Sequence, residues 1–407
     1  MKQAGHKTRT ARHRRGRRHH VYLVPGFLGF ASLGRISYFG HVRSVLRERF
    51  ASLGVDARIH VVHTHPTTSM PTRASRVAET IAATAGGGDG PIHLIGHSSG
   101  GLDIRLLTAP DVALPTDVDV ERLAARVRTV VAVSTPHHGT PLASFFTTMQ
   151  GQRLLKLLAV GTIYVLQFGR LPLSALLWMG SIFARFDDRV VNNALLDDVF
   201  GRLLTDFTPA RRRAVRSILR EIVGDQALML QLTPEAMDVF NASVVQRKGV
   251  RYGSVVTQAA RPSIRSRIGA GLDPGAQATR ALYSALYSLT ATTSDHLAPS
   301  LAPAVARLLR HTYGTIPSAA DNDGIVPTRS QAWGHVIHAA LADHLDVLGY
   351  FGDAAHDPPH VDWVVTGSGF TRPRFEALWG DVARFLMREN ASGVLQEESE
   401  RKERSAG

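Results

Sequence analysis

The chain has no cysteine among its 407 residues. This removes disulfide scaffolds, thiolate nucleophiles, Cys-ligated zinc and iron–sulfur clusters together. It leaves the compartment open, because a thiol-free protein is stable on either side of a membrane. The first twenty positions have no acid, while eight basic residues stand there: Lys2, Lys7, Arg9, Arg12, Arg14, Arg15, Arg17 and Arg18. G-x-x-x-x-G-K, G-x-G-x-x-G after a strand, and H-E-x-x-H are also missing. Nucleotide-binding and zinc-protease readings therefore lack their motifs. No apolar run suits a membrane span. Residues 154–183 are strongly apolar, yet Lys156 and Arg170 divide them into stretches of about 13, short of the roughly 18 a span needs.

What is present is globular in composition, with 44% hydrophobic and 20% charged residues. The net charge is +13, and taking away the eight basic groups of the first twenty residues leaves +5 for the rest. The basicity is thus largely a terminal arm, residues 1–19, expected to be disordered because like charges repel and no apolar face is there to bury. Such an arm is either a solvated tail or a contact for an anionic membrane or nucleic acid. No aromatic residue interleaves the arginines and no DNA-binding motif follows. Arm and apolar run 21–30 together mimic a signal peptide. Pro25-Gly26 stands in the middle of that run, and the run is needed as a strand, so the reading favours the cytoplasm.

The chain alternates. Residues 20–24, 55–62, 91–96 and 127–133 read as strands, and 42–50, 74–85 and 100–107 as helices. This predicts an α/β fold with a mostly parallel, doubly wound sheet. From about 145 to 245 the pattern is helical. A strand returns at 249–257, helical sequence at 274–311, a strand at 333–342 and a closing helix at 374–389. The expected organisation is a core of 20–144 and 246–389, a helical cap or lid insertion of 145–245, and a frayed tail of 390–407. The apolar face of 152–186 either lines an acyl pocket or is ordinary core.

Gly96-His97-Ser98-Ser99-Gly100 sits between an apolar strand and a helix, as a nucleophile elbow does. The glycines permit a sharp turn, and the helix N-terminus offers partial positive charge to an oxyanion. A Gly-rich turn is the bland alternative. A serine nucleophile needs a base and an orienting carboxylate, in the order Ser, acid, His. Asp321 and Asp323 lie in one acidic turn. His344 follows the last strand, and His356 and His360 compete with it as base; His344 is preferred, the others being read as surface loop histidines. His63 and His65 share one face of an extended segment but have no third ligand at suitable spacing. His137 and His138 read as loop hydrogen-bonders.

These residues resemble the α/β-hydrolase superfamily and, within it, the bacterial triacylglycerol lipases. Val24-Pro25-Gly26-Phe27-Leu28-Gly29 is similar to the family's oxyanion loop, with Pro25 in place of the usual His. Gly96–Gly101 is similar to its elbow, and Val133-Ser134-Thr135-Pro136-His137-His138-Gly139-Thr140 to its loop after the sixth strand. Asn322-Asp323-Gly324 resembles the acid turn, and His344-Leu345-Asp346 the catalytic-histidine loop. The resemblance implies a serine carboxylic-ester hydrolase, lipase-like, with Ser98 as nucleophile, His344 as base and Asp323 as its partner. Backbone N–H groups of Phe27 and Ser99 would form the oxyanion hole. No cofactor is required. Asp346 matches a position that binds structural calcium in some relatives; no second acidic ligand is evident, and the other reading is a carboxylate holding its loop by hydrogen bonds. Substrates would be esters or lipids. A short-chain esterase, thioesterase or acyltransferase shares the same triad, and a non-catalytic binder of anionic surfaces through residues 1–20 is the reading from another class.

Overall fold

The computed structural model describes residues 18–27, 29, 38–85, 88, 90–168, 172, 174–175, 201–262, 274–292, 298–362, 364 and 366–388. The arm 1–17, the tail 389–407 and most of 169–200 lie outside the described residues. Leu177 and Trp178 of the expected acyl-pocket face are among the latter.

Six strands form one parallel sheet: β1 (His19–Val24), β2 (Ala57–Val61), β3 (Ile92–His97), β4 (Val127–Val133), β5 (Arg251–Gln258) and β6 (His335–Leu341), in the order β2-β1-β3-β4-β5-β6. All five pairings are parallel. The inner strands are near-continuous apolar runs because helices cover both faces. Alternation along β1 divides them. Tyr22 and Val24 face a core shared with α2 (Met70–Ala85) and α3 (Gly100–Thr108). Val21 and Leu23 face a core shared with α1 (Gly40–Ser52) and the closing helix Arg372–Met387.

The chain winds outward from β1 to β2, then crosses to β3 on the other side of β1. The sheet order thus reverses between β1 and β3, where the carboxyl ends of neighbouring strands leave a crevice. The loops after β1 and β3 meet there.

Between β4 and β5 the described residues are helical: α4 (Val120–Ala124) precedes β4, and α5 (Pro141–Phe146), α6 (Met149–Phe168) and helices Pro209–Gly224, Ala227–Gln231 and Pro234–Ser243 follow it. Leu154, Leu157, Val160 and Ile163 of α6 are buried in the same core as α2 and α3. Among the described residues no helix is long and apolar enough to cross a membrane.

Candidate active site

Ser98 ends the buried strand β3 and has φ of +55°. This left-handed conformation costs a non-glycine residue free energy. It is needed because the backbone must reverse sharply between strand and helix. Close packing around the turn excludes side chains: a Cβ at Gly96 would lie 2.3 Å from the carbonyl oxygen of Gly100, and one at Gly100 equally near that of Val24. Gly26, in the loop after β1, stands against the serine, since a Cβ there would be 2.5 Å from Ser98 Cβ. Phe27 follows Gly26, and Ser99 is the N-cap of α3. Both residues expected to give oxyanion N–H groups are thus beside Ser98.

Asp323 and His344 are brought together. His344 Nδ1 is 2.8 Å from Asp323 Oδ2, and both side chains are buried. The His344 backbone N–H also donates to the Asp323 carbonyl at 3.1 Å. Asp323 Oδ1 accepts from the backbone N–H of Ile325 and Val326 at 3.0 and 2.8 Å. Gln331 Nε2 donates to Oδ2 at 3.1 Å, and the Thr257 hydroxyl lies 2.8 Å from it. These donors fix the orientation of the carboxylate. Asp321 faces the other way, accepting from Arg261 Nε at 2.7 Å and from the Ser318 N–H. His356 is half-buried on its loop, and His360, expected at the surface, is buried with its Nδ1 donating to the Gly349 carbonyl.

Several residues that no local pattern marks support the site. His97 Nε2–H donates to the His344 carbonyl at 3.0 Å, which leaves Nδ1 to accept from the Tyr38 hydroxyl at 2.7 Å. Burial first, then the neighbouring His344, holds the His97 pKa well below its ordinary value, so this ring is neutral. The two histidine rings are 4.7 Å apart, which puts His344 against the elbow. Arg73, fully buried, donates to both carboxylate oxygens of Asp103 and to the Pro25 carbonyl at 2.7 Å. It ties α2, α3 and the oxyanion loop into one unit. Of the other histidines, His137 is buried, within 3.1 Å of Arg105 and stacked on Trp333, while the His65 carbonyl accepts from Arg73.

Asp346 Oδ2 accepts from the Asp343 N–H at 2.9 Å and from the Ser368 hydroxyl at 2.7 Å. Asp343 in turn accepts from the N–H groups of Leu345 and Asp346 and from Thr366. Burial, and the charge of Asp362, raise the Asp346 pKa to about 7; burial and Asp346 push Asp343 up as well. The acids that sequence spacing did not pair are therefore Asp343 and Asp362. The oxygens are turned to the loop's own donors, and among the described residues the group whose ligand atoms all converge within 4.8 Å is a different one. These donors hold the histidine loop by hydrogen bonds.

No family model matches the chain, and no curated protein matches it. Solved structures do. EstA from Clostridium botulinum is 19% identical with a TM-score of 0.49, over 90% of this chain and 87% of that one. The Staphylococcus hyicus lipase is 14% identical with a TM-score of 0.49, over 91% and 95%. A metagenomic carboxyl esterase is 18% identical with a TM-score of 0.46, over 90% and 75%. By its own topology, with Ser98 on an elbow after β3, Asp323 after β5 and His344 after β6, the chain has the α/β-hydrolase fold.

Proposed function

We propose that this protein is a serine carboxylic-ester hydrolase of the lipase-like type. The observation that carries the reading is the buried Asp323–His344 pair, its imidazole 4.7 Å from the ring of His97, the residue before Ser98 in its left-handed turn. His344 Nδ1–H donates to Asp323, so the Nε2 lone pair is left for a proton. Ser98 Oγ attacks the ester carbonyl carbon and passes its proton to Nε2. Asp323 fixes the tautomer and stabilises the imidazolium. The N–H groups of Phe27 and Ser99, with the positive end of α3 behind them, hold the oxyanion. The tetrahedral intermediate collapses as His344 protonates the alcohol. Water, activated by the same imidazole, then releases the acid from Ser98. This chemistry asks for no cofactor.

A p-nitrophenyl ester series from short to long acyl chains tests the reading. Ser98→Ala and His344→Ala should each remove several orders of magnitude from kcat, with the double variant little worse, because the groups act as a unit. Asp323→Asn should be severe and Asp321→Asn mild. Near wild-type turnover by Ser98→Ala would end the proposal. The same series reports the acyl preference, and rates followed across the solubility limit of a medium-chain ester distinguish a lipase from an esterase.

A further inference from the structure

We propose that His41, His356 and His360 form a binding site for a divalent transition metal of the zinc class, held through their Nε2 atoms. The site is separate from the serine chemistry and does not rest on it. His41 is at the start of α1, and the other two stand in the segment that follows His344. One ring nitrogen from each lies within 4.8 Å of the others. Tetrahedral zinc, with Zn–N distances of about 2.0–2.1 Å, sets nitrogen ligands about 3.4 Å apart. Closing that gap takes roughly an ångström of movement, which falls to His356, the half-buried member of the three.

Proton accounting agrees. His360 Nδ1 lies 2.7 Å from the Gly349 carbonyl, and His356 Nδ1 lies 2.7 Å from the Pro358 carbonyl. A carbonyl only accepts, so in both neutral rings the proton is on Nδ1 and the Nε2 lone pair is available. Metal-bound imidazoles are oriented in this way by their outer hydrogen bonds. The rings of His41 and His360 lie stacked at a close approach of 3.9 Å, and one of them turns out of the stack for both lone pairs to meet one ion. Gly349 permits this approach: its φ is +100°, and a Cβ there would sit 2.7 Å from His41 Cβ. One glycine thus gives His41 its space and His360 its acceptor.

The cluster lines a cavity of about 630 Å³ that Tyr350, Glu48 and Glu376 also border. Water from this cavity can take a fourth coordination position. Three neutral nitrogen donors suit zinc, cobalt or nickel over calcium or magnesium, which take oxygen. A bound ion would clamp α1 to the chain leaving the candidate catalytic histidine loop.

The test is zinc titration of the full chain after dialysis against chelator, followed by calorimetry and by the melting temperature. Cobalt, read by visible absorption, reports nitrogen ligation. One zinc ion per chain is expected, with a melting temperature that rises with free zinc and no comparable effect of magnesium. His356→Ala should weaken binding on the order of a hundredfold and change metal-free melting little, since the hydrogen bond it removes is to the Pro358 carbonyl of its own loop. His360→Ala should also lose the ion, and His63→Ala should keep it. Zinc binding that is absent at micromolar concentration, or that is unchanged in His356→Ala and His360→Ala, would overturn the proposal.

Discussion

Ser98 is held at φ of +55° by the packing of glycines around it. An L-residue there costs about 1–2 kcal/mol relative to its relaxed conformation, and the site retains the strain because it exposes the hydroxyl. Glycine would relieve it. Ser98→Gly should therefore be more stable than Ser98→Ala by about 1 kcal/mol, and both should lack activity. Urea melts of the two variants decide it; equal midpoints would mean that the turn is unstrained. A second consequence concerns the histidine loop. Asp346 keeps its proton in the folded state up to about pH 7, whereas an unfolded Asp releases it near 3.9. In between, the native state binds more protons than the unfolded one. The contribution of this group is thus fully present below about pH 4 and is lost as pH rises to about 7. Asp346→Asn keeps an oxygen for Ser368 and the Asp343 N–H, so it should flatten the fall in stability measured from pH 5 to 8. An unaltered slope would place the titration elsewhere.

Elements differ in how much of their placement was written locally. β1, β3 and β4 were legible because both faces are buried, which makes each an unbroken apolar run closed by Pro25-Gly26, Gly96 or Ser134. Ser98 and His344 were read from the strands they follow and Asp323 from its acidic turn, and the structure brings the last two together at 2.8 Å. Tyr38 with His97, and Thr257 and Gln331 with Asp323, were not, since each contact joins residues from different elements with no shared period. His360 was expected at the surface, but its loop folds back and stacks the ring on Phe351 at 4.3 Å. Nor does any pattern announce Arg73 and Asp103, 30 residues apart and both fully buried, at 2.8 Å. Burial raises the Asp103 pKa to about 6 even though Arg73 pulls it down, so desolvation outweighs the attraction. Removing one partner leaves the other uncompensated. Arg73→Met should cost about 3–5 kcal/mol, while Arg73→Met with Asp103→Leu should cost less than that single change. A double variant as unstable as the sum of the singles would show that the ties to Pro25 and His65, not the ion pair, set the cost.

On the scale of the whole molecule the charge is lopsided. Residues 1–17 carry seven basic groups and no acid, out of a net charge of +13. Arg18, the first described residue, has folded partners: its guanidinium meets Asp56 at 3.0 Å, and its carbonyl packs against Gly90. A truncation that tests the arm should therefore stop before it. Charges in this number attract an anionic surface over about a Debye length, roughly 10 Å at 0.1 M salt. The nearest proposed catalytic group needs none of them. Deleting residues 1–17 should leave hydrolysis of a dissolved short-chain ester unchanged, and should weaken sedimentation with vesicles of anionic lipid at low salt. For the intact chain, binding should fall as salt rises, and neutral vesicles should bind neither form by this route. A truncated protein that sediments as well as the intact one, or binding indifferent to salt, would assign the surface contact to the folded part and leave the arm a solvated tail.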